Sequence, residues 1–122
     1  MSEAPWVLIV DDDEDIRESI QSLLQLRGFT VDTAADGLSA LERMRVGPLP
    51  SLVILDFMMP GMNGEEFRVA QLREPALAAV PVVLLTGAGE RAGASRVGVE
   101  RIAKPIDLQL LFDTVERFCR SA

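Results

Sequence analysis

The stretch Trp6-Val7-Leu8-Ile9-Val10-Asp11-Asp12-Asp13-Glu14-Asp15 joins five consecutive apolar residues to five consecutive acids. A run that is apolar throughout, rather than alternating, predicts a strand buried on both faces, as in parallel sheets covered by helices. Similar runs recur at residues 29–33, where the signal is weaker, at 51–55, at 81–85 and, frayed, at 99–103. The segments between them carry apolar residues three and four apart, so strand and helix alternate along the chain. Ile16, Ile20, Leu23 and Leu24 form one helical stripe closed by Gly28, and Leu38, Leu41 and Met44 form a second after Asp36 as N-cap. A less regular helix is expected around residues 64–72, and a last one carries Leu108, Leu111, Phe112, Val115 and Phe118 on one face after Asp107 as N-cap. Five strands and about five helices account for residues 1–122 as a single α/β domain, a parallel sheet between two helix layers.

Composition narrows the chemistry. The chain has 19 acidic and 12 basic residues, a formal net charge of −7, no histidine and one cysteine. That balance argues against nucleic acid as a direct partner. Without histidine there is no Ser-His or Cys-His nucleophile pair, and a lone cysteine makes neither an intrachain disulfide nor a cysteine-rich zinc site. Cys119, near the end of the last helix, reads as a small core or boundary residue. The start lacks the pattern of a secretory leader, and no apolar run approaches the ~20 residues that span a bilayer, so the expectation is a cytoplasmic protein without a membrane partner.

Ligands of parallel α/β sheets bind outside the carboxyl ends of the strands, so the residues there are the candidates for chemistry. The first run leads into the acidic cluster, the third into Asp56, the fourth into Thr86 and the fifth into Lys104-Pro105. Asp13, Glu14 and Asp15 read as the start of a helix, where carboxylates suit the positive end of the dipole. Asp11 and Asp12 need another reason, because adjacent carboxylates at a strand end repel unless a cation lies between them. Together with Asp56 they offer the hard oxygen ligands that Mg²⁺ prefers. Lys104 is the only lysine beside eleven arginines. A compact ammonium on a flexible stem suits a tight site shared with a carboxylate or phosphoryl oxygen, and a cis Lys104-Pro105 bond is expected to aim it inward.

The order Val10-Asp11-Asp12, Asp56 with Met59-Pro60-Gly61-Met62-Asn63-Gly64, Thr86-Gly87 and Lys104-Pro105 resembles the receiver domain of two-component response regulators, over essentially the whole chain. The resemblance implies a flavodoxin-like fold with strand order 2-1-3-4-5. It implies that Asp56 accepts a phosphoryl group, that Asp11, Asp12, Asp56 and the backbone carbonyl of Met58 hold Mg²⁺, that Thr86 hydrogen-bonds the phosphoryl group and that Lys104 pairs with it. The partner so implied is a histidine kinase or histidine phosphotransfer protein, since the chain has no histidine of its own to donate from. Met58 and Ala88 stand at the positions that influence loss of the phosphoryl group in this family, and neither side chain can hydrogen-bond a water.

Two departures from the family pattern stand out. Arg101 occupies the position, three before the lysine, where receivers carry a switching aromatic. The interval from Thr86 to Lys104 is short by roughly one helical turn, and Gly87, Gly89, Gly93 and Gly98 lie within it, so a short or irregular helix is expected between the fourth and fifth strands. Arg91, Arg96 and Arg101 form either a solvated loop or a partner-binding patch. Two other functions fit parts of the sequence. One is a degenerate receiver that docks without phosphorylation. The other is a small aspartate-nucleophile phosphohydrolase, suggested by the Asp-x-Asp spacing of Asp11 and Asp13.

Overall fold

The computed structural model of the chain describes residues 4–87 and 100–120. Five strands, β1 (Trp6–Val10), β2 (Thr30–Ala34), β3 (Leu52–Asp56), β4 (Val82–Thr86) and β5 (Glu100–Ala103), form one sheet in the order β2-β1-β3-β4-β5. All four pairings are parallel. β1, β3 and β4 are buried along their whole length, as their unbroken apolar runs require.

Four helices are present among the described residues: α1 (Glu14–Leu26), α2 (Gly37–Arg45), α3 (Gly64–Leu72) and a C-terminal helix (Leu108–Arg120). Alternate residues of the strands feed two cores. Trp6, Leu8, Val10, Val53, Leu55 and Leu84 pack with Leu41 and Met44 of α2 and Phe67 of α3. On the other face Val7, Ile9, Ile54 and Leu85 pack with Ile20 and Leu24 of α1 and Leu111, Phe112 and Val115 of the C-terminal helix. Each fully buried Leu or Ile stabilises the fold by about 1.5–3 kcal/mol.

The helix ends follow from their caps. Asp13 Oδ1 accepts from the Asp15 and Ile16 N–H groups at 3.0 and 3.2 Å, and Asp36 Oδ1 accepts from Ser39 N–H at 2.7 Å. Asp107 does the same for Gln109 and Leu110. Asn63 and Glu66 form a reciprocal capping box that starts α3. Gly28, at φ +89°, turns the chain out of α1 where a Cβ would be strained.

Several details differ from the sequence reading. β2, β3 and β4 each begin one residue later than expected, and β3 and β4 end on the polar Asp56 and Thr86. Leu38 and Leu108 were expected on buried stripes, yet they are 57% and 45% exposed. Both lie in the first turn of their helix. The short or irregular helix expected between the fourth and fifth strands falls at 88–99, outside the described residues. Cys119 is buried in the second core, and burial raises its thiol pKa.

Candidate functional site

The register of the sheet sets the candidate residues side by side. β1 pairs with β3 so that Val10 lies beside Leu55, which places Asp11, the next residue along, beside the end of β3 where Asp56 stands. Asp56 in turn pairs with Leu85, one residue before Thr86, and Thr86 pairs with Ala103, one residue before Lys104. All of these residues therefore meet at the carboxyl edge of three central strands and β5. Thr86 and Lys104 are joined directly, because the Lys104 N–H donates to the Thr86 carbonyl at 2.7 Å. Lys104-Pro105 is a cis peptide.

Asp11, Asp12 and Asp56 each offer a carboxylate oxygen, and these oxygens lie within 4.8 Å of one another. Asp11 and Asp56 are buried while Asp12 is exposed, so the cluster opens to solvent on one side. Asp11 Oδ1 accepts from Asp13 N–H at 2.9 Å. Its Oδ2 is buried without a hydrogen-bond partner among the described residues. A buried carboxylate oxygen in that position is costly unless a cation or proton satisfies it. Burial raises the Asp11 pKa above its ordinary value; the Asp13 N–H and Lys104 oppose the rise, and Asp56 and Asp12 add to it by repulsion. An open-sided set of three carboxylates with one oxygen in want of a partner suits a small hard cation that keeps part of its water shell.

Lys104 Nζ donates to Asp56 Oδ1 at 3.0 Å, with the lysine side chain one-third exposed and the aspartate almost wholly buried. A phosphoryl-sized anion at Asp56 would therefore meet an ammonium already in place. Thr86 is only 2% exposed. Met58 lies two residues beyond Asp56, with its side chain 54% exposed. Arg101 is exposed on β5, beside Leu84 in the register. Asp13, the second half of the Asp-x-Asp pair, is not part of the carboxylate cluster; its side chain is taken up in capping α1.

The supporting contacts of two residues are visible only in the folded chain. Arg17 Nη1 donates to the Asp11 carbonyl at 2.8 Å, tying the first turns of α1 to the acidic edge. Gly64 donates its N–H to the Phe57 carbonyl at 2.8 Å and closes the loop at 57–64 that follows Asp56. Neither follows from periodicity. Arg17 is a surface-type residue whose reach appears only in three dimensions, and Gly64 was noticed only as part of a motif.

Residues 7–116 match the response regulator receiver domain family. The chain is 36% identical over 122 residues to the C4-dicarboxylate transport transcriptional regulatory protein DctD of Rhizobium meliloti, covering 96% of this chain and 26% of that protein. It is 39% identical over 113 residues to the response regulator Rre1 of Synechocystis sp., covering 88% of this chain and 48% of that one. The chain thus spans less than half the length of either relative. Among solved structures, a response regulator receiver protein from Pseudomonas putida superposes with a TM-score of 0.86 at 25% identity, covering 96% of this chain and 99% of that one.

Proposed function

The chain belongs to the response regulator receiver domain family, and from that membership we propose that it is a phosphoacceptor in which Asp56 takes a phosphoryl group from a phosphohistidine. The donor is a histidine kinase or histidine phosphotransfer protein. The observation that carries this reading is the convergence of Asp11, Asp12 and Asp56 at the strand edge with Lys104 Nζ 3.0 Å from Asp56.

In the step proposed, an Asp56 carboxylate oxygen attacks phosphorus in line with the P–N bond. The new O–P bond forms as P–N breaks, and the electron pair returns to the donor's imidazole. A carboxylate is a weak nucleophile, so positioning and charge neutralisation must do most of the work. Asp11, Asp12, Asp56 and the Met58 carbonyl would hold Mg²⁺, which when bound supplies positive charge to a phosphoryl oxygen and relieves repulsion among the carboxylates. Lys104 exchanges its carboxylate partner for a phosphoryl oxygen. The Thr86 hydroxyl donates to another, which couples the phosphoryl group to the segment after β4. Phosphorylation then shifts the chain between two conformations by no more than the difference in its interactions with them. The reaction confined to this domain is its own phosphorylation and dephosphorylation. Among the described residues no helix is long and apolar enough to cross a membrane. A cytoplasmic site of action is proposed from the family membership.

Incubation with Mg²⁺ and acetyl phosphate, followed by intact mass measurement, tests the proposal. One added phosphoryl group, absent without Mg²⁺ and absent in Asp56→Asn, is the expected result. No gain in mass would favour a docking module, and steady turnover that depends on Asp11 but not on Asp56 would favour a phosphohydrolase.

A further inference from the structure

Gly37 and Gly64 have no positive φ, for among the described residues the positive-φ glycines are Gly28, Gly47 and Gly61. Gly37 and Gly64 are therefore required for space, not for backbone conformation. A Cβ on Gly64 would lie 2.8 Å from Phe57 Cδ1 and 2.9 Å from Leu84 Cδ2. A Cβ on Gly37 would lie 2.7 Å from Met62 Sδ, 3.1 Å from Met62 Cγ and 3.4 Å from Met62 Cβ. Swinging only the terminal methyl of Met62 would not clear that approach, because Sδ itself is too close and Cγ is tight, while Cβ is at the edge of ordinary contact, so the side chain must turn as a whole.

Gly37 is the first residue of α2, locked by the Asp36 cap, and α2 is held to the sheet by Ala40, Leu41 and Met44. Met62 belongs to the loop at 57–64. That loop is anchored at its ends by Phe57 N–H to the Leu85 carbonyl and Gly64 N–H to the Phe57 carbonyl, and between them by buried Met59. Met58 lies in the first half of the loop and is exposed. Met62, packed against the first core, is the anchor of its second half.

We infer that Gly37 is a positioning residue for the acceptor loop: its missing side chain seats Met62 across the start of α2, and that seat fixes the segment carrying Met58. The inference rests on the Mg²⁺ reading above. It makes α2, which contributes no residue to the acidic cluster, the wall against which the metal-binding loop is set.

Calorimetric Mg²⁺ titration of the unphosphorylated protein tests it, using the native chain, Gly37→Ala, Met62→Ala and the double variant, with circular dichroism confirming the fold. Each single variant is expected to lose about 10-fold in Mg²⁺ affinity, the lower end of what changes behind the ligands cost a metal site. The double variant should bind as Met62→Ala alone, since the methyl group added at position 37 then has nothing to displace. Native-like affinity in Gly37→Ala, or a further loss from it when Met62 is already replaced by alanine, overturns the inference. Should Gly37→Ala not fold, native-like affinity in Met62→Ala overturns it equally. Mg²⁺ binding by the native chain with these results refutes the positioning role alone, whereas no binding by the native chain refutes the functional reading and this inference with it.

Discussion

Replacing Asp11 by asparagine should make the metal-free protein more stable, although Asp11 is among the most buried residues in the chain. The buried carboxylate faces the Asp12 and Asp56 oxygens within 4.8 Å, and at an effective dielectric of about 20 two unit charges at that distance repel by about 3.5 kcal/mol. Lys104 offsets part of this. Asparagine is nearly isosteric, its carbonyl can keep the Asp13 N–H bond, and its amide can donate where Oδ2 now lacks a partner. A net gain of about 1–3 kcal/mol follows, a rise of roughly 5–10 °C in thermal midpoint for a domain of this size. The pH dependence has a definite sign. Because the folded Asp11 pKa lies above its unfolded value, the penalty is absent below the unfolded pKa and complete above the folded one. The native chain therefore loses stability as pH rises through that interval, and the gap to Asp11→Asn closes toward about pH 4. Thermal unfolding in chelator, repeated across pH, measures both effects. Mg²⁺ at 100 times its dissociation constant should add about 2.7 kcal/mol to the native chain and much less to the variant. A variant less stable than the native chain in chelator at neutral pH would refute the reasoning.

Arg43 pairs with Asp32 at 2.7 Å, donates to the Val46 carbonyl and stacks over Trp6 at 4.3 Å. Burial raises the Asp32 pKa, but Arg43 and the Thr33 N–H outweigh it and hold the carboxyl below its ordinary value. This contribution is present above the unfolded Asp32 pKa and is lost as pH falls through the folded one. Arg43→Ala should cost about 1 kcal/mol at pH 7 and less in acid, as read by urea unfolding at both pH values. Gly64→Ala should cost about 1–3 kcal/mol in the same assay, because its Cβ would be forced against Phe57 and Leu84. Met58 offers no side-chain hydrogen bond to an attacking water, so the phosphorylated native chain should be long-lived and Met58→Asn should decay severalfold faster, followed by the loss of phosphoryl mass with time.

β1, β3 and β4 were legible because strands buried on both faces announce themselves as unbroken apolar runs, whereas the edge strands β2 and β5 gave only a weaker and a frayed run. The Asp36 and Asp107 caps were legible because each precedes an apolar stripe, while Asp13 read only as part of the acidic start of a helix and proves to be its cap. Strand ends were harder. Asp56 and Thr86 read as residues after a strand, yet each is the last residue within one, hydrogen-bonded in the ladder while its side chain serves the edge. Hydropathy stops where apolarity stops, one position short of the backbone pairing. Leu77 and Val80, isolated among turn residues, gave no periodic signal but join the core. Buried Gln71 bonds the Leu77 and Val80 carbonyls, each at 2.9 Å, which only the folded chain brings within reach. The site residues were nameable from their order along the chain, whereas the seating of Met62 on Gly37 depends on two segments that sequence spacing does not connect.

The central claim is that Asp56 carries the phosphoryl group. Borohydride reduction of the acyl phosphate formed with acetyl phosphate and Mg²⁺ converts the modified aspartate to homoserine, which peptide mass spectrometry can place in the sequence. Homoserine at position 56, with Asp11 and Asp12 unchanged, is the predicted result; homoserine at position 11 or 12, or at no aspartate of a chain that folds and binds Mg²⁺, would contradict the account.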